Sequence, residues 1–109
     1  MFPKGFALGG LLKQAQNVQK KIEELQGELG QLQMEGQAGG GLVTAVVNGQ
    51  QSLLKVTIDP SLLREDLEMV EDLVVAAVNQ GMQKSRDEAQ RRMNQLTGSA
   101  LGGLDLPEV

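Results

Sequence analysis

The chain has 109 residues, ten Lys and Arg against fourteen Asp and Glu, and a formal charge of −4. This length fits one domain, and such a domain buries about two-thirds of its unfolded surface. It holds no His, Cys, Trp or Tyr, which excludes Ser-His-Asp and Cys-His nucleophiles, thiolate or imidazole metal sites and any disulfide framework. Met1 to Phe6 lacks the basic and apolar regions of a secretory signal. No apolar run approaches a membrane span, so the expectation is a cytoplasmic protein with no membrane partner and no cofactor.

The first organised segment starts near Leu8. Its apolar positions, Leu8, Leu11, Ala15, Val18, Ile22, Leu25, Leu29 and Leu32, alternate steps of three and four residues, with Gln, Lys and Glu between them. That spacing predicts a long helix with a narrow heptad seam of the coiled-coil kind. Gly27 and Gly30 lie off the seam and cost helix stability, so the helix is expected to stop near Leu29.

Residues 32–38 alternate in polarity and read as a strand, followed by a turn at Gly39-Gly40-Gly41. Leu42–Val47 and Leu53–Ile58 read as a hairpin about Asn48-Gly49, the strongest short hairpin signal. A two-residue turn there pairs Val47 with Gln50, Ala45 with Ser52 and Val43 with Leu54. One face then carries Val43, Ala45, Val47, Leu54, Val56 and Ile58. The other keeps Leu42, Val46 and Leu53, more apolar surface than a solvated face needs.

Pro60 ends the third strand, and Ser61 or Asp66 can cap the next helix. From Leu67 to Leu96 the apolar positions recur about every 3.6 residues, predicting a second long helix with Gly81 as the place for a bend. Leu73–Val78 is apolar all round and is expected to be buried. Met82, Ala89, Met93 and Leu96 form an outer stripe that could cover the first helix's seam. Residues 97–109 are read as a disordered tail, leaving a single domain over 1–96.

The fold expected is therefore α/β of the α+β kind: a long N-terminal helix, a three-stranded antiparallel sheet and a long C-terminal helix. Six-residue strands span only about 20 Å. The sheet covers half of each helix, which leads to the expectation of a homodimer with projecting helical arms.

The ordered set Met1-Phe2-x-Lys4-Gly5, Leu12-Lys13-Gln14-Ala15-Gln16, Gly41-Leu42-Val43, Asn48-Gly49, Ile58-Asp59-Pro60-Ser61-Leu62-Leu63, Glu71-Asp72-Leu73-Val74 and Ala76-Ala77 resembles the YbaB/EbfC family of bacterial nucleoid-associated proteins. The similarity runs over roughly the first ninety residues, in order and without large gaps. It implies a tweezers-shaped homodimer that binds double-stranded DNA with little sequence preference and has no catalytic activity. It places the DNA contacts on the helical arms and the protein in the nucleoid, with effects on nucleoid organisation or gene expression.

The charge map accommodates that role. Residues 1–60 are neutral, residues 61–82 carry Arg64 against five acids, and residues 83–97 carry four cations against two acids. The basic arm residues Lys13, Lys20, Lys21, Lys84, Arg86, Arg91 and Arg92 are the expected DNA contacts. Lys13 and Lys20 are seven apart, as are Lys84 and Arg91, so each pair shares a helix face. Base reading has thin support: only Arg86, Asn94 and Gln95 could touch edges. Single strands are disfavoured for want of stacking aromatics.

Three other patterns take plain structural readings. Gly36-x-x-Gly39-Gly40-Gly41 leads into a strand, whereas phosphate cradles open a helix. Glu65, Asp66, Glu68, Glu71 and Asp72 lack calcium-loop spacing and suit the start of a helix dipole. The first helix has too few bulky apolar residues for a membrane surface. The rival function is a non-enzymatic scaffold or chaperone-like module that grips a protein partner with its amphipathic helices.

Overall fold

The computed structural model describes residues 6–100, with side chains over 9–98. The Met1–Gly5 motif and residues 101–109 lie outside the described residues. In chain order come helix α1 (Phe6–Gln31), strands β1 (Gln33–Ala38), β2 (Val43–Asn48) and β3 (Leu53–Ile58), a 3-10 turn at Pro60–Arg64, and helix α2 (Leu67–Ala100). The strands form one antiparallel sheet with β2 at its centre. The fold class is the α+β arrangement expected, here 76 × 27 × 17 Å.

The sheet holds the core because β2 alternates. Val43, Ala45 and Val47 are fully buried; Val43 and Ala45 cluster with Ala77 of α2 and with Leu62 of the 3-10 turn, while Val47 lies under Gly81. α2 lies directly on β1 and β2, and two glycines make this possible. A Cβ on Gly36 would overlap the Ala77 carbonyl oxygen and the Gly81 amide nitrogen, while one on Gly81 would meet Val47 Cγ2 at 3.1 Å. Gly81 therefore serves close packing, and the helix runs through it without interruption. It also continues to Ala100, four residues past the expected boundary at 96.

The β1–β2 turn needs its glycines. Gly39, Gly40 and Gly41 have φ of 65°, 70° and 95°, conformations that side chains strain. The β2–β3 hairpin differs from the expected register. Val43 pairs with Ile58, Ala45 with Val56 and Val46 with Lys55, a slip of four residues, with a bulge between Val46 and Val47. An even slip preserves side-chain parity, so the apolar face keeps the same members up to the bulge. The cause is at the turn. Asn48 Oδ1 accepts from the Gln50 and Ser52 amides at 2.9 and 3.0 Å, and Gln51, not Gly49, takes the left-handed conformation at φ 64°.

Gly49 has a different duty. Its amide donates to the Leu29 carbonyl at 2.7 Å, and a Cβ there would lie 2.6 Å from that oxygen. Gln50 Nε2 donates to the Gln26 carbonyl at 2.6 Å. The hairpin thus adds two bonds to the last turns of α1, one of them to a carbonyl near the helix end that has no i+4 donor within the helix. With that support α1 continues through Gly27 and Gly30 to Gln31 rather than stopping near Leu29.

The expectation that Leu73–Val78 is buried on all sides is corrected. Ala77 is fully buried and Leu73, Val74 and Val78 half-buried, but Ala76 is exposed and Val75 is 57% exposed. One three-stranded sheet covers one side of a helix and leaves the other open. At the 3-10 turn, Asp59 accepts from the Ser61 amide at 2.8 Å, which holds its carboxyl below the ordinary value of 3.8.

Candidate nucleic-acid interface

The two helices meet where α1 leaves the sheet. Leu25 and Leu29 are buried, and Leu25 lines a groove with Leu96 of α2. Glu28 faces Arg92, whereas the earlier Lys21 shares the groove with Gln95 and Leu96, so the helices run antiparallel. Both arms therefore leave the sheet in the same direction. Of the α2 stripe, Leu96 lines this groove and Met82, Ala89 and Met93 are half-buried. The rest of the α1 seam is open: Leu11 is 61% exposed, and with Ala15, Val18 and Ile22 it lines a shallow apolar trough. The side chain of Leu8 lies outside the described residues.

The seven basic residues fall into three situations. Lys13 and Lys20 are exposed on the side of α1 opposite the seam, about 10 Å apart along the axis. Neither has an ion pair among the described residues. Arg86 is exposed on α2 and donates to Gln83 Oε1 at 2.9 Å. Lys84 is tethered, its Nζ donating to the Glu35 carbonyl of β1 at 2.8 Å.

Lys21, Arg91 and Arg92 line the groove between the helices with Glu24 and Glu28. Here the two arginines are engaged. Arg91 donates through Nε and a terminal nitrogen to the two Glu88 oxygens at 2.9 and 2.5 Å. Arg92 Nε donates to Glu88 Oε2 at 2.8 Å, and its Nη1 lies 3.6 Å from Glu28 Oε2. The Arg91 and Arg92 bonds hold the Glu88 carboxyl at about 2, and the same contact raises Arg91 above its ordinary value. Sequence reasoning missed Glu88. Its spacing to Arg91 and Arg92, i,i+3 and i,i+4, was the available signal.

The possible base readers are also occupied. Asn94 Oδ1 accepts from Gln90 at 2.9 Å, Gln95 lies in the groove, and Arg86 holds Gln83. The acidic residues at the start of α2 are exposed, and no group of three metal-ligating side chains occurs among the described residues. None of the described helices is long and apolar enough to cross a membrane.

The geometry has known counterparts. A crystal structure of an uncharacterized protein from Helicobacter pylori superposes with a TM-score of 0.73 at 26% identity, covering 90% of this chain and all of that one. A nucleoid-associated protein of Legionella pneumophila is 42% identical over 100 residues, 92% of this chain and 86% of its own. One from Thermoanaerobacter pseudethanolicus is 41% identical over 107 residues, 97% and 93% of the two chains. The model of the YbaB/EbfC DNA-binding family matches residues 4–100, and the chain belongs to that family.

Proposed function

We propose that this protein is a non-enzymatic nucleoid component that binds double-stranded DNA as a homodimer, in the cytoplasm, through phosphate contacts from its helical arms. Family membership and the names of its relatives support the DNA partner. The observation that carries the mode is the Lys13–Lys20 pair: two exposed ammonium groups on one helix face, free of carboxylates among the described residues, spaced by about three base-pair rises. Phosphate neutralisation releases counterions whatever the sequence, and the engaged side chains of Asn94 and Arg86 favour low specificity. A second copy is supported by the uncovered seam of α1 and by Leu53, Leu54, Ile58, Leu63 and Leu67, all exposed around β3 and the 3-10 turn.

The test is a binding isotherm on mixed-sequence duplexes across a salt series. Binding falls by about 0.9 log unit per log salt for each phosphate neutralised. The Lys13→Gln/Lys20→Gln/Arg86→Gln variant is expected to bind every duplex more weakly, with a slope shallower by about 2 to 3. Unchanged binding by a folded triple variant refutes the arm reading. A second reading, a scaffold that holds a protein segment, is favoured by the apolar trough of Leu11, Ala15, Val18 and Ile22. It gains if no duplex binds at low salt.

A further inference from the structure

The groove between α1 and α2 has a composition that phosphate contact by the arms does not by itself explain. Three cations line or enter it, Lys21, Arg91 and Arg92, and they come from both helices. Two carboxylates, Glu24 and Glu28, line it with them, and Glu88 lies beside it in the neighbouring hollow that Arg91 also lines, so the three cations are offset by three carboxylates. Glu88 is the one that both guanidinium groups grip. Its two oxygens accept three charge-assisted bonds at 2.5–2.9 Å, the forked geometry in which Arg also holds phosphate. Arg91 remains 54% exposed by side-chain area, so a ligand can reach it from solvent, and the groove encloses about 490 Å³ beside it.

We propose that Arg91 and Arg92 seat a DNA backbone phosphate at this groove, and that Glu88, beside it, holds their donors in the free protein. The inference rests on the DNA-binding reading and adds a residue that limits it. A phosphate oxygen entering the fork replaces a carboxylate oxygen on the same nitrogens. A backbone phosphodiester carries one negative charge, as Glu88 does, and Lys21 adds a third cation on the groove wall. In the free protein Arg91 and Arg92 direct their donors internally, and the affinity of the arms is set low. Glu88 is here a competitor for the two guanidinium groups, which its oxygens engage until a phosphate replaces them.

The experiment compares the full chain with Glu88→Gln on a mixed-sequence duplex, by anisotropy, between about 50 and 200 mM salt. Removing any carboxylate favours DNA slightly, so Asp87→Asn is the control. Asp87 is the adjacent carboxylate and accepts only from Gln83 at 2.8 Å. Expected is an affinity gain of about tenfold for Glu88→Gln at low salt, with a slope steeper by about 0.9 to 1.8 as one or two phosphates are newly held. Asp87→Asn is expected to gain about twofold or less with an unchanged slope, since Asp87 pairs with neither guanidinium group and its removal frees no donor. The Glu88→Gln gain should vanish in an Arg91→Gln/Arg92→Gln background, where a mere charge effect would persist. Equal gains for Glu88→Gln and Asp87→Asn, or a gain that survives loss of both arginines, overturn the seat while leaving DNA binding intact. Failure of the parent and every variant to bind at low salt overturns the DNA reading itself. Far-UV circular dichroism of each variant establishes that it is folded, and Glu88→Asp, which shortens the reach but keeps the charge, should retain the parent's slope.

Discussion

Gly36→Ala tests the contact on which both arms depend. The added methyl enters a space already filled by the Ala77 carbonyl oxygen and the Gly81 backbone, and neither is the flexible end of a side chain. α2 must lift from β1 by roughly 1 Å to restore ordinary contact distances. The layer it leaves, Val43, Ala45, Val47, Ala77 and Ser85, is fully buried, so the displacement is felt throughout the core. Overpacking costs about 1 to 3 kcal/mol, and backbone against backbone belongs at the upper end. Replacing glycine in a strand returns about 0.5 to 1 kcal/mol. The expected net loss is about 2 kcal/mol, or a melting point lower by roughly 8 to 16 °C for a domain of this size.

The assay is urea unfolding followed by circular dichroism at fixed protein concentration, because self-association couples to stability. Two other glycines calibrate it. Gly27 is helical with open space around it, so Gly27→Ala should stabilise by up to about 1 kcal/mol. Gly40 also has open space but φ of +70°, so Gly40→Ala should lose about 1 kcal/mol through strain alone. If Gly36→Ala lies within about 0.5 kcal/mol of the parent, α2 does not seat on β1 through this contact. The Lys84 bond to the Glu35 carbonyl, one residue away, should loosen in the same variant and free that ammonium group.

Asn48→Ala removes the acceptor for two turn amides and should cost about 1 to 2 kcal/mol in the same unfolding assay. Asn48→Asp keeps an acceptor and should recover most of that loss. Glu88 gives a pH dependence of definite sign. Its folded value of about 2 lies below the ordinary 4.5, so its stabilising bonds are complete above pH 4.5 and fade as pH falls through about 2. The melting-point difference between the parent and Glu88→Gln should therefore shrink over that window. A difference as large at pH 2 as at pH 7 refutes the assignment.

Element types and their order were legible because two periodicities, heptad steps in α1 and alternation in β2, each leave one packing solution. Register was not. Asn48-Gly49 carries a local signal for a two-residue turn, but Gly49 is claimed by the Leu29 carbonyl and the Asn48 side chain organises a longer loop. A contact across about twenty residues thus overrides a local preference, and nothing in the hairpin's own sequence records it. The end of α1 is the same contact seen from the other side. For the interface, the cations could be read from the chain, but their availability could not. Lys84 and Arg91 share the same seven-residue spacing logic, yet one is tied to a strand carbonyl and the other to Glu88.

The distribution of charge constrains how the arms meet DNA. A chain of net −4 gains nothing from long-range steering toward a polyanion, so attraction must act at short range. Asp72, the last of the acids at the start of α2, lies about 21 Å along the helix from Arg86, roughly twice the screening length at 0.1 M salt. Near physiological salt the acidic end is therefore electrically remote from the arms. In the proposed mode Lys13 and Lys20 would act as separate point contacts, each subject to counterion release. Arg91 and Arg92 would add to them only once a phosphate displaces Glu88. On the proposed reading, affinity built this way is modest, insensitive to sequence and adjustable at one side chain, which would suit occupancy of many sites along DNA without a tight hold on any one of them.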